Sequence, residues 1–344
     1  MFRYVVILIV FFIVAELFSR VFFSNFNYNN ISYNVDDNHK VIRGKNIYLY
    51  KSPENENLVF RVKSKNSKLK INENFKNIFF IGDSVTLGFA TEFDKVYYNR
   101  INFSDEKINI LPMTNLGLSS KDIFKLIDKD ILKIINEGDI LIYQFNYNDI
   151  VLETPAEINT NPRKTNLISF TQKFRYKYLN YSTFFKVLQY YASLQTKKLD
   201  GSCEERGIHS LGMYSFSFFN KSFEKESRKL WVEFENQLLN LRDKLKKKNI
   251  KFAVLISPIS LQIENQEEVN KLKLNLKCSL KDGRKNLINI LKFNQIDFID
   301  PYVIFNKSQK KEKKILFHEF DTNHPNEYGH LLISRSVKEY LKID

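Results

Sequence analysis

The tripeptide Gly82-Asp83-Ser84 follows an apolar run, Asn77-Ile78-Phe79-Phe80-Ile81. A β-branched and aromatic run of this length predicts a buried strand, and the glycine permits a sharp turn directly after it. The serine hydroxyl would then stand at the carboxyl end of a parallel sheet, where open α/β sheets keep their ligand crevices. In that position Ser84 can act as a nucleophile, provided that a nearby base takes its proton.

A candidate base and its orienting acid lie near the other end of the chain, in Asp321-Thr322-Asn323-His324-Pro325. His324 is the predicted base for Ser84. Asp321, on the same loop, can accept a hydrogen bond from imidazole Nδ1–H and hold the tautomer that leaves Nε2 facing the serine. The long separation in sequence is no obstacle, because all parallel strands end at one edge of the sheet.

Two further segments can supply donors to an oxyanion. Gly117 follows the second predicted strand, and the absence of a side chain lets its backbone N–H approach a substrate closely. Asn148 follows the third predicted strand, within Asn146-Tyr147-Asn148-Asp149, and its amide can donate to the same oxygen. With the backbone N–H of Ser84, these groups form a candidate oxyanion hole.

Strands and helices must alternate to bring these residues together. The predicted strands are Asn77–Ile81, Ile108–Leu111, Asp139–Gln144, Ile250–Ile256 and Ile296–Ile299. The predicted helices are Ser120–Ile135, Ser222–Lys248, Arg284–Lys292 and Asn326–Leu341. This alternation predicts an α/β protein with a parallel sheet that helices cover on both faces.

In order and separation, these segments resemble the four sequence blocks of the SGNH (GDSL-type) hydrolase superfamily across residues 76–344. The matching residues are Gly82-Asp83-Ser84, Gly117, Asn148-Asp149 and Asp321-x-x-His324. The resemblance implies a three-layer α/β/α flavodoxin-like fold with a five-stranded parallel sheet, and no metal or organic cofactor. It also implies a triad of Ser84, His324 and Asp321 and an oxyanion hole of Ser84, Gly117 and Asn148.

The chain departs from the family pattern at one position. The third block usually begins with glycine, and Asn146 stands there in this sequence. If the backbone at this position needs a positive φ, asparagine is the least costly replacement for glycine.

The N-terminal segment, residues 1–23, is predominantly apolar and predicts an uncleaved, single-pass membrane anchor. Its apolar run reaches the ~20 residues that span a bilayer only when it extends past Glu16. A cleaved signal peptide and a buried core helix are the alternatives. Glu16-Leu17-Phe18-Ser19-Arg20 also resembles membrane-attached bacterial members of the family. An anchor of this kind predicts a catalytic domain outside the cytoplasm, in the periplasm or at the cell exterior.

Two stretches do not follow the alternating pattern. Residues 24–75 predict a stalk and an irregular lead-in. Residues 151–220 predict an insertion whose aromatic segment, Phe174–Leu194, has helical spacing. That segment is either a helix packed on the same core, or a lid or amphipathic face toward a membrane or long substrate. Cys203 and Cys278 are either one disulfide or two unrelated thiols.

The net charge of +14 invites a nucleic-acid interpretation, which the arrangement of the charges does not support. The lysines are spread along the chain in short runs, as in Lys310-Lys311-Glu312-Lys313-Lys314, and no motif that reads a groove or stacks bases accompanies them. We therefore expect solvated charge and no nucleic-acid partner. If the charge has a function, an anionic polymer or a membrane surface is the favoured partner.

Three functions use these residues. The leading hypothesis is a serine esterase that acts through an acyl-enzyme on an ester substrate, with acylated glycans or lipids among the candidates. The second is an O-acyltransferase that passes the acyl group to a cell-surface polysaccharide, and the third is a non-catalytic binding module. His318 and His330 are interpreted as structural or surface residues, and His209 belongs to no recognisable zinc pattern.

Overall fold

The computed structural model describes residues 2–22, 32–69, 74–101, 107–114, 118–150, 182–185, 187–188, 224–264, 283–318, 321 and 323–343. The chain forms two compact units. The first comprises Met1–Asn34, Val41–Gly44 and Glu153–Asp200, and the second comprises Val35–Lys40, Lys45–Leu152 and Gly201–Asp344. The second unit contains Ser84, Asp321 and His324.

In the described ranges, nine strands form one mixed sheet in the order β1-β2-β3-β4-β6-β5-β7-β8-β9. Its strands are β1 Ser32–Asp36, β2 His39–Ile42, β3 Lys45–Lys51, β4 Val59–Val62, β5 Lys76–Gly82, β6 Ile108–Thr114, β7 Ile140–Phe145, β8 Lys251–Ile256 and β9 Asp297–Ile299. The predicted number of five strands is therefore wrong for the sheet as a whole.

Five of the nine strands do form a continuous parallel half, in the order β6-β5-β7-β8-β9. They are the five strands predicted from the sequence, and numbered along the chain they follow the flavodoxin-like order 2-1-3-4-5. The strand order reverses around β5 and β7. Open sheets of this type bind ligands beyond the carboxyl ends of the strands at that reversal.

The remaining strands lie in the segment predicted as a stalk and irregular lead-in, residues 24–75. In this part of the sheet, β3 pairs antiparallel with β4, and β4 pairs antiparallel with β6. In β3 only Ile47 and Leu49 are buried, on one face of the strand. Their alternation is hard to see in the sequence because the flanking positions are tyrosine, asparagine and lysine. Arg43 and Gly44, which both have positive φ, form the turn that precedes β3.

The helices of the structure are α1 Phe2–Phe22, α2 Ser84–Leu87, α3 Ser120–Lys129, α4 Glu224–Lys247, α5 Ser260–Ile263, α6 Gly283–Phe293, α7 Tyr302–Glu312 and α8 Glu327–Leu341. The four predicted helices correspond to α3, α4, α6 and α8. Helix α7 was not predicted, because it buries only Phe305 and Ser308 and ends in a lysine run that is typical of a solvated segment.

Helices cover both faces of the parallel half, as the three-layer prediction requires. On one face, Phe80 and Leu255 belong to a core cluster that also contains Phe305 of α7 and Leu332 of α8. On the other face, the aromatic rings of β7 pack against those of α3 and α4, namely Tyr143 on Phe124 and Phe145 on Trp231 and Phe234. This burial of aromatic surface fixes the carboxyl ends of β5 and β7 relative to the helices that follow them.

In the first unit, the carboxylate of Glu16 on α1 binds the start of a short helical segment. It accepts hydrogen bonds from the Ser182 hydroxyl at 2.7 Å and from the backbone N–H groups of Thr183 and Phe184, both at 3.1 Å. A carboxylate in this position satisfies N–H groups that have no partner within their own helix. Most of the predicted insertion, together with Cys203 and Cys278, lies outside the described residues.

The prediction of a membrane-spanning anchor over residues 1–23 is not supported. Among the residues that the structure describes, no helix is both long enough and apolar enough to cross a bilayer.

His330 of α8 is buried in the second unit, with its ring stacked on Tyr97 at a centroid distance of 5.9 Å. Burial lowers the pKa of His330 well below its ordinary value, and the charges of Arg61 and Arg100 add to the effect. The imidazole is therefore neutral in the folded protein, as the structural interpretation of this residue requires.

We expect the free energy of unfolding to fall as the pH drops from about 7 to about 5, because the unfolded chain then binds a proton at His330 that the folded chain excludes. His330→Phe keeps an aromatic ring on Tyr97 and removes this titration. Urea denaturation followed by circular dichroism at both pH values should show a smaller loss of stability in the variant. Equal losses in the two proteins would contradict this assignment of His330.

Candidate active site

The backbone turns from β5 into α2 at Gly82, Asp83 and Ser84. The Asp83 carboxylate caps α2 by accepting the Val85 N–H at 3.2 Å, and the Asp83 carbonyl accepts the Thr114 hydroxyl at 2.7 Å. A β-carbon on Gly82 would lie 2.5 Å from the Thr86 hydroxyl oxygen. Glycine is therefore required here by close packing, and the packing sets Ser84 at the carboxyl end of β5.

Hydrogen bonds between buried polar side chains hold α2, the helix that begins with Ser84. The Thr86 hydroxyl donates to Gln144 Oε1 at 3.1 Å, and Gln144 Nε2 donates to the Ser257 hydroxyl at 3.0 Å. Gln144 belongs to β7, and Ser257 directly follows β8. Because all three side chains are buried, these hydrogen bonds tie α2 to the ends of two neighbouring strands.

The structure brings the three predicted triad side chains together. His324 Nε2 lies 2.8 Å from Ser84 Oγ, and His324 Nδ1 lies 2.9 and 2.8 Å from the two carboxylate oxygens of Asp321. With the Nδ1 proton donated to Asp321, Nε2 is free to accept the serine proton. Ser84 Oγ also lies 3.0 Å from Asp83 Oδ2, so two acceptors compete for its single proton.

The loop that carries His324 is closed by its own hydrogen bonds. Asp321 Oδ1 accepts the backbone N–H groups of Asn323 at 3.0 Å and His324 at 3.1 Å. The backbone N–H of Asp321 donates to the His318 carbonyl, and the N–H of His318 donates to the His324 carbonyl. These bonds orient the Asp321 carboxylate before any substrate binds.

The third block forms a tight turn at the end of β7. Asp149 Oδ2 accepts the Asn146 backbone N–H at 3.0 Å and the Tyr143 hydroxyl at 2.8 Å. Burial raises the pKa of Asp149 well above its ordinary value, and the charge of Asp83 raises it further. Asn146 is not among the residues with positive φ, so the usual glycine is not needed for backbone conformation at this position.

The predicted oxyanion donors are described only in part. Ser84 is the first residue of α2, where backbone N–H groups have no partner within the helix. Gly117 lies outside the described residues. The backbone of Asn148 belongs to the 3₁₀ helix Tyr147–Ile150, and its side chain is outside the described part. The roles of Gly117 and Asn148 therefore stay predictions.

Two residues beside the triad were not assigned to the site from the sequence. The ring of Phe89 stacks on the His324 imidazole, with centroids 4.1 Å apart and planes inclined by 21°. His318 Nε2 lies 3.1 Å from the Phe89 carbonyl oxygen and 3.3 Å from the Thr91 hydroxyl. No motif marks these positions. Within the described ranges, no group of three or more histidine, cysteine or acidic side chains is placed to hold a metal ion.

Comparisons with known proteins give structural neighbours only. No protein-family model and no curated protein matches the sequence. A lipolytic protein of the G-D-S-L family from Veillonella parvula DSM 2008 is similar at 14% identity and a TM-score of 0.42, over 78% of this chain and 98% of that chain. A catalytic mutant of an acetylxylan esterase from Geobacillus stearothermophilus is similar at 13% identity and a TM-score of 0.44, over 80% and 98%.

A third similar structure is a putative lipolytic protein of the G-D-S-L family from Desulfitobacterium hafniense DCB-2. It has 10% identity and a TM-score of 0.39, over 77% of this chain and 98% of that chain. The solved structures that the chain is similar to thus include G-D-S-L family lipolytic proteins and acetylxylan esterases.

Asp321→Asn should lower kcat for ester hydrolysis by about 10³- to 10⁴-fold while the fold is retained. The backbone N–H groups of Asn323 and His324 would hold the amide oxygen at the Oδ1 position. The NH₂ group would then face His324 Nδ1 and favour the tautomer that cannot accept the serine proton. Steady-state kinetics and thermal unfolding measure the two effects. The matched control is Asp128→Asn, which removes a surface ion pair with Lys244. Equal kcat values in the two variants would refute the orienting role of Asp321.

Proposed function

We propose that this chain is a serine ester hydrolase of the SGNH type. The observation that carries the proposal is the continuous contact from Ser84 Oγ through the His324 imidazole to Asp321, with 2.8 Å at each end. A nucleophile, a base and an orienting acid in this arrangement are what acyl transfer to a hydroxyl requires. Their place at the strand-order reversal supports the same conclusion, because ligands bind there in open α/β sheets.

In the proposed reaction, Ser84 Oγ attacks the ester carbonyl carbon as His324 Nε2 takes the hydroxyl proton. The negative charge on the carbonyl oxygen is stabilised by the backbone N–H of Ser84 and by the predicted donors Gly117 and Asn148. Collapse of this intermediate breaks the bond to the alcohol oxygen, which receives the proton from His324. Water then attacks the acyl-Ser84 ester, with His324 again as the base, and releases the acid.

The Asp83 carboxylate sets a requirement on the first step. In the resting site Ser84 Oγ can donate to Asp83 or to His324, and only donation to His324 transfers the proton. Substrate that enters beside Ser84 must therefore leave the His324 contact intact. The pairing of His324 with Asp321 favours this outcome, since a positive imidazolium is stabilised by the neighbouring carboxylate.

The proposed substrate is an ester, with acylated glycans and lipids as candidate classes. The same acyl-enzyme makes a polysaccharide O-acyltransferase if a sugar hydroxyl intercepts it instead of water. The location outside the cytoplasm rests on the apolar N-terminal sequence and stays a prediction, which cell fractionation with an antibody to the chain would test.

Ser84→Ala tests the proposed function. We expect the wild-type chain to hydrolyse p-nitrophenyl acetate and to be labelled by a fluorophosphonate, and the variant to lose both, with kcat reduced by at least about 10⁴-fold. Ser64→Ala, which removes an exposed loop hydroxyl, is the matched control. Turnover that survives in Ser84→Ala would refute the proposal. Acetate release measured with and without an added oligosaccharide separates hydrolysis from transfer.

A further inference from the structure

Arg61, on β4, is almost completely buried, with 1% of its surface exposed. Its guanidinium donates to three backbone carbonyl groups of one loop. Nη1 donates to the Leu87 carbonyl and, at 2.9 Å, to the Gly88 carbonyl, and Nη2 donates to the Thr91 carbonyl at 2.6 Å. These carbonyl groups belong to residues 87–91, which are the last residue of α2 and the loop that follows it. We call this segment the clamped loop.

The clamped loop has a shape that matches the guanidinium. Gly88 has a φ of 66°, which favours glycine, and a β-carbon there would clash with Arg61 Nη1. Burial lowers the pKa of Arg61, and the neighbouring Tyr98 hydroxyl partly offsets this effect. Its Nη1 and Nη2 groups donate to the carbonyl oxygens of the clamped loop. The planar fork of arginine suits several carbonyl groups at once, whereas a lysine ammonium does not.

The clamped loop also contacts the base. The Phe89 ring stacks on the His324 imidazole at 4.1 Å, and the Phe89 carbonyl lies 3.1 Å from His318 Nε2. His318 in turn donates its backbone N–H to the His324 carbonyl at 3.1 Å. The loop therefore contacts the imidazole ring directly and, through His318, is linked to the His324 backbone.

We propose that Arg61 and Phe89 are positioning residues for the base: Arg61 holds the clamped loop so that Phe89 keeps the His324 imidazole with Nε2 directed at Ser84 Oγ. This proposal rests on the proposed function and deepens it. The hydrogen bonds at Nδ1 and Nε2 act on the edge of the imidazole ring, within its plane. Stacking on Phe89 restrains the plane itself.

The restraint matters because proton transfer depends steeply on geometry. A displacement of about 1 Å at a reacting group can cost about 100-fold in rate. Arg61 reaches the site from β4, which lies in the antiparallel half of the sheet next to β6. The antiparallel strands thus contribute a residue that acts on the site from outside the five parallel strands.

The test is a double-mutant cycle on the full chain with an activated aryl ester. Phe89→Leu should lower kcat about 3- to 10-fold, the scale of one aromatic contact. Arg61→Lys should lower it about 10- to 100-fold, and KM should stay within about twofold in both. Because both residues act through the base, neither substitution should reduce the residual rate further in a His324→Ala background.

Arg242→Lys is the matched control, because Arg242 donates to the Asn294 carbonyl before β9, away from the triad. It should leave kcat unchanged at a temperature well below its unfolding midpoint. The proposal is wrong if either substitution lowers the residual rate of His324→Ala by the same factor by which it lowers kcat of the wild-type chain. It is also wrong if Phe89→Leu leaves kcat unchanged. Phe89→Leu decides the outcome if Arg61→Lys fails to fold. Turnover in Ser84→Ala would instead refute the proposed function, so the two failures are distinguishable.

Discussion

The hydrogen bond of 2.8 Å between Ser84 Oγ and His324 Nε2 places the strictest geometric demand on the fold. It joins two residues that are far apart in the sequence. It forms only if β5, the loop before α8 and the core between them are all in place. A parallel sheet can bring the two residues together, because its strands end at one edge regardless of their distance in sequence. The strand order then selects the position along that edge, beside the reversal at β5 and β7.

Polar side chains hold both partners of this hydrogen bond. Next to Ser84, the buried side chains of Thr86, Gln144 and Ser257 are joined by hydrogen bonds. These bonds restrict the conformation of the turn without leaving a buried polar group unsatisfied. Two residues after His324, Asn326 caps α8 and donates hydrogen bonds to the Ile315 and Phe317 carbonyls. The approach of α8 to that segment is so close that a β-carbon on Gly329 would clash with the Leu316 carbonyl.

The site also concentrates acidic groups that the fold must accommodate. Asp83 and Asp149 are both buried near the ends of β5 and β7, and the charge of Asp83 raises the pKa of Asp149. Asp149 nevertheless organises the third block through its bonds to the Asn146 N–H and the Tyr143 hydroxyl. The antiparallel half of the sheet adds a buried basic side chain, Arg61, which binds the carbonyl groups of residues 87–91. The fold thus places both acidic and basic side chains close to the residue that we propose as the nucleophile.

Local patterns in the sequence were enough to predict the five parallel strands, helices α3, α4, α6 and α8, and the residues Ser84, Asp321 and His324, because strand and helix periods and motif spacing involve near neighbours. The strands before β5 were missed because β2 and β3 bury few side chains and because β4 has only four residues, one of them an arginine. The prediction of five strands for the sheet was too low for this reason. Arg61, Phe89 and His318 carry no local signal at all. A buried arginine has the same sequence context as a surface one, since its burial depends on which distant carbonyl groups fold around it. Only the tertiary structure decides such contacts.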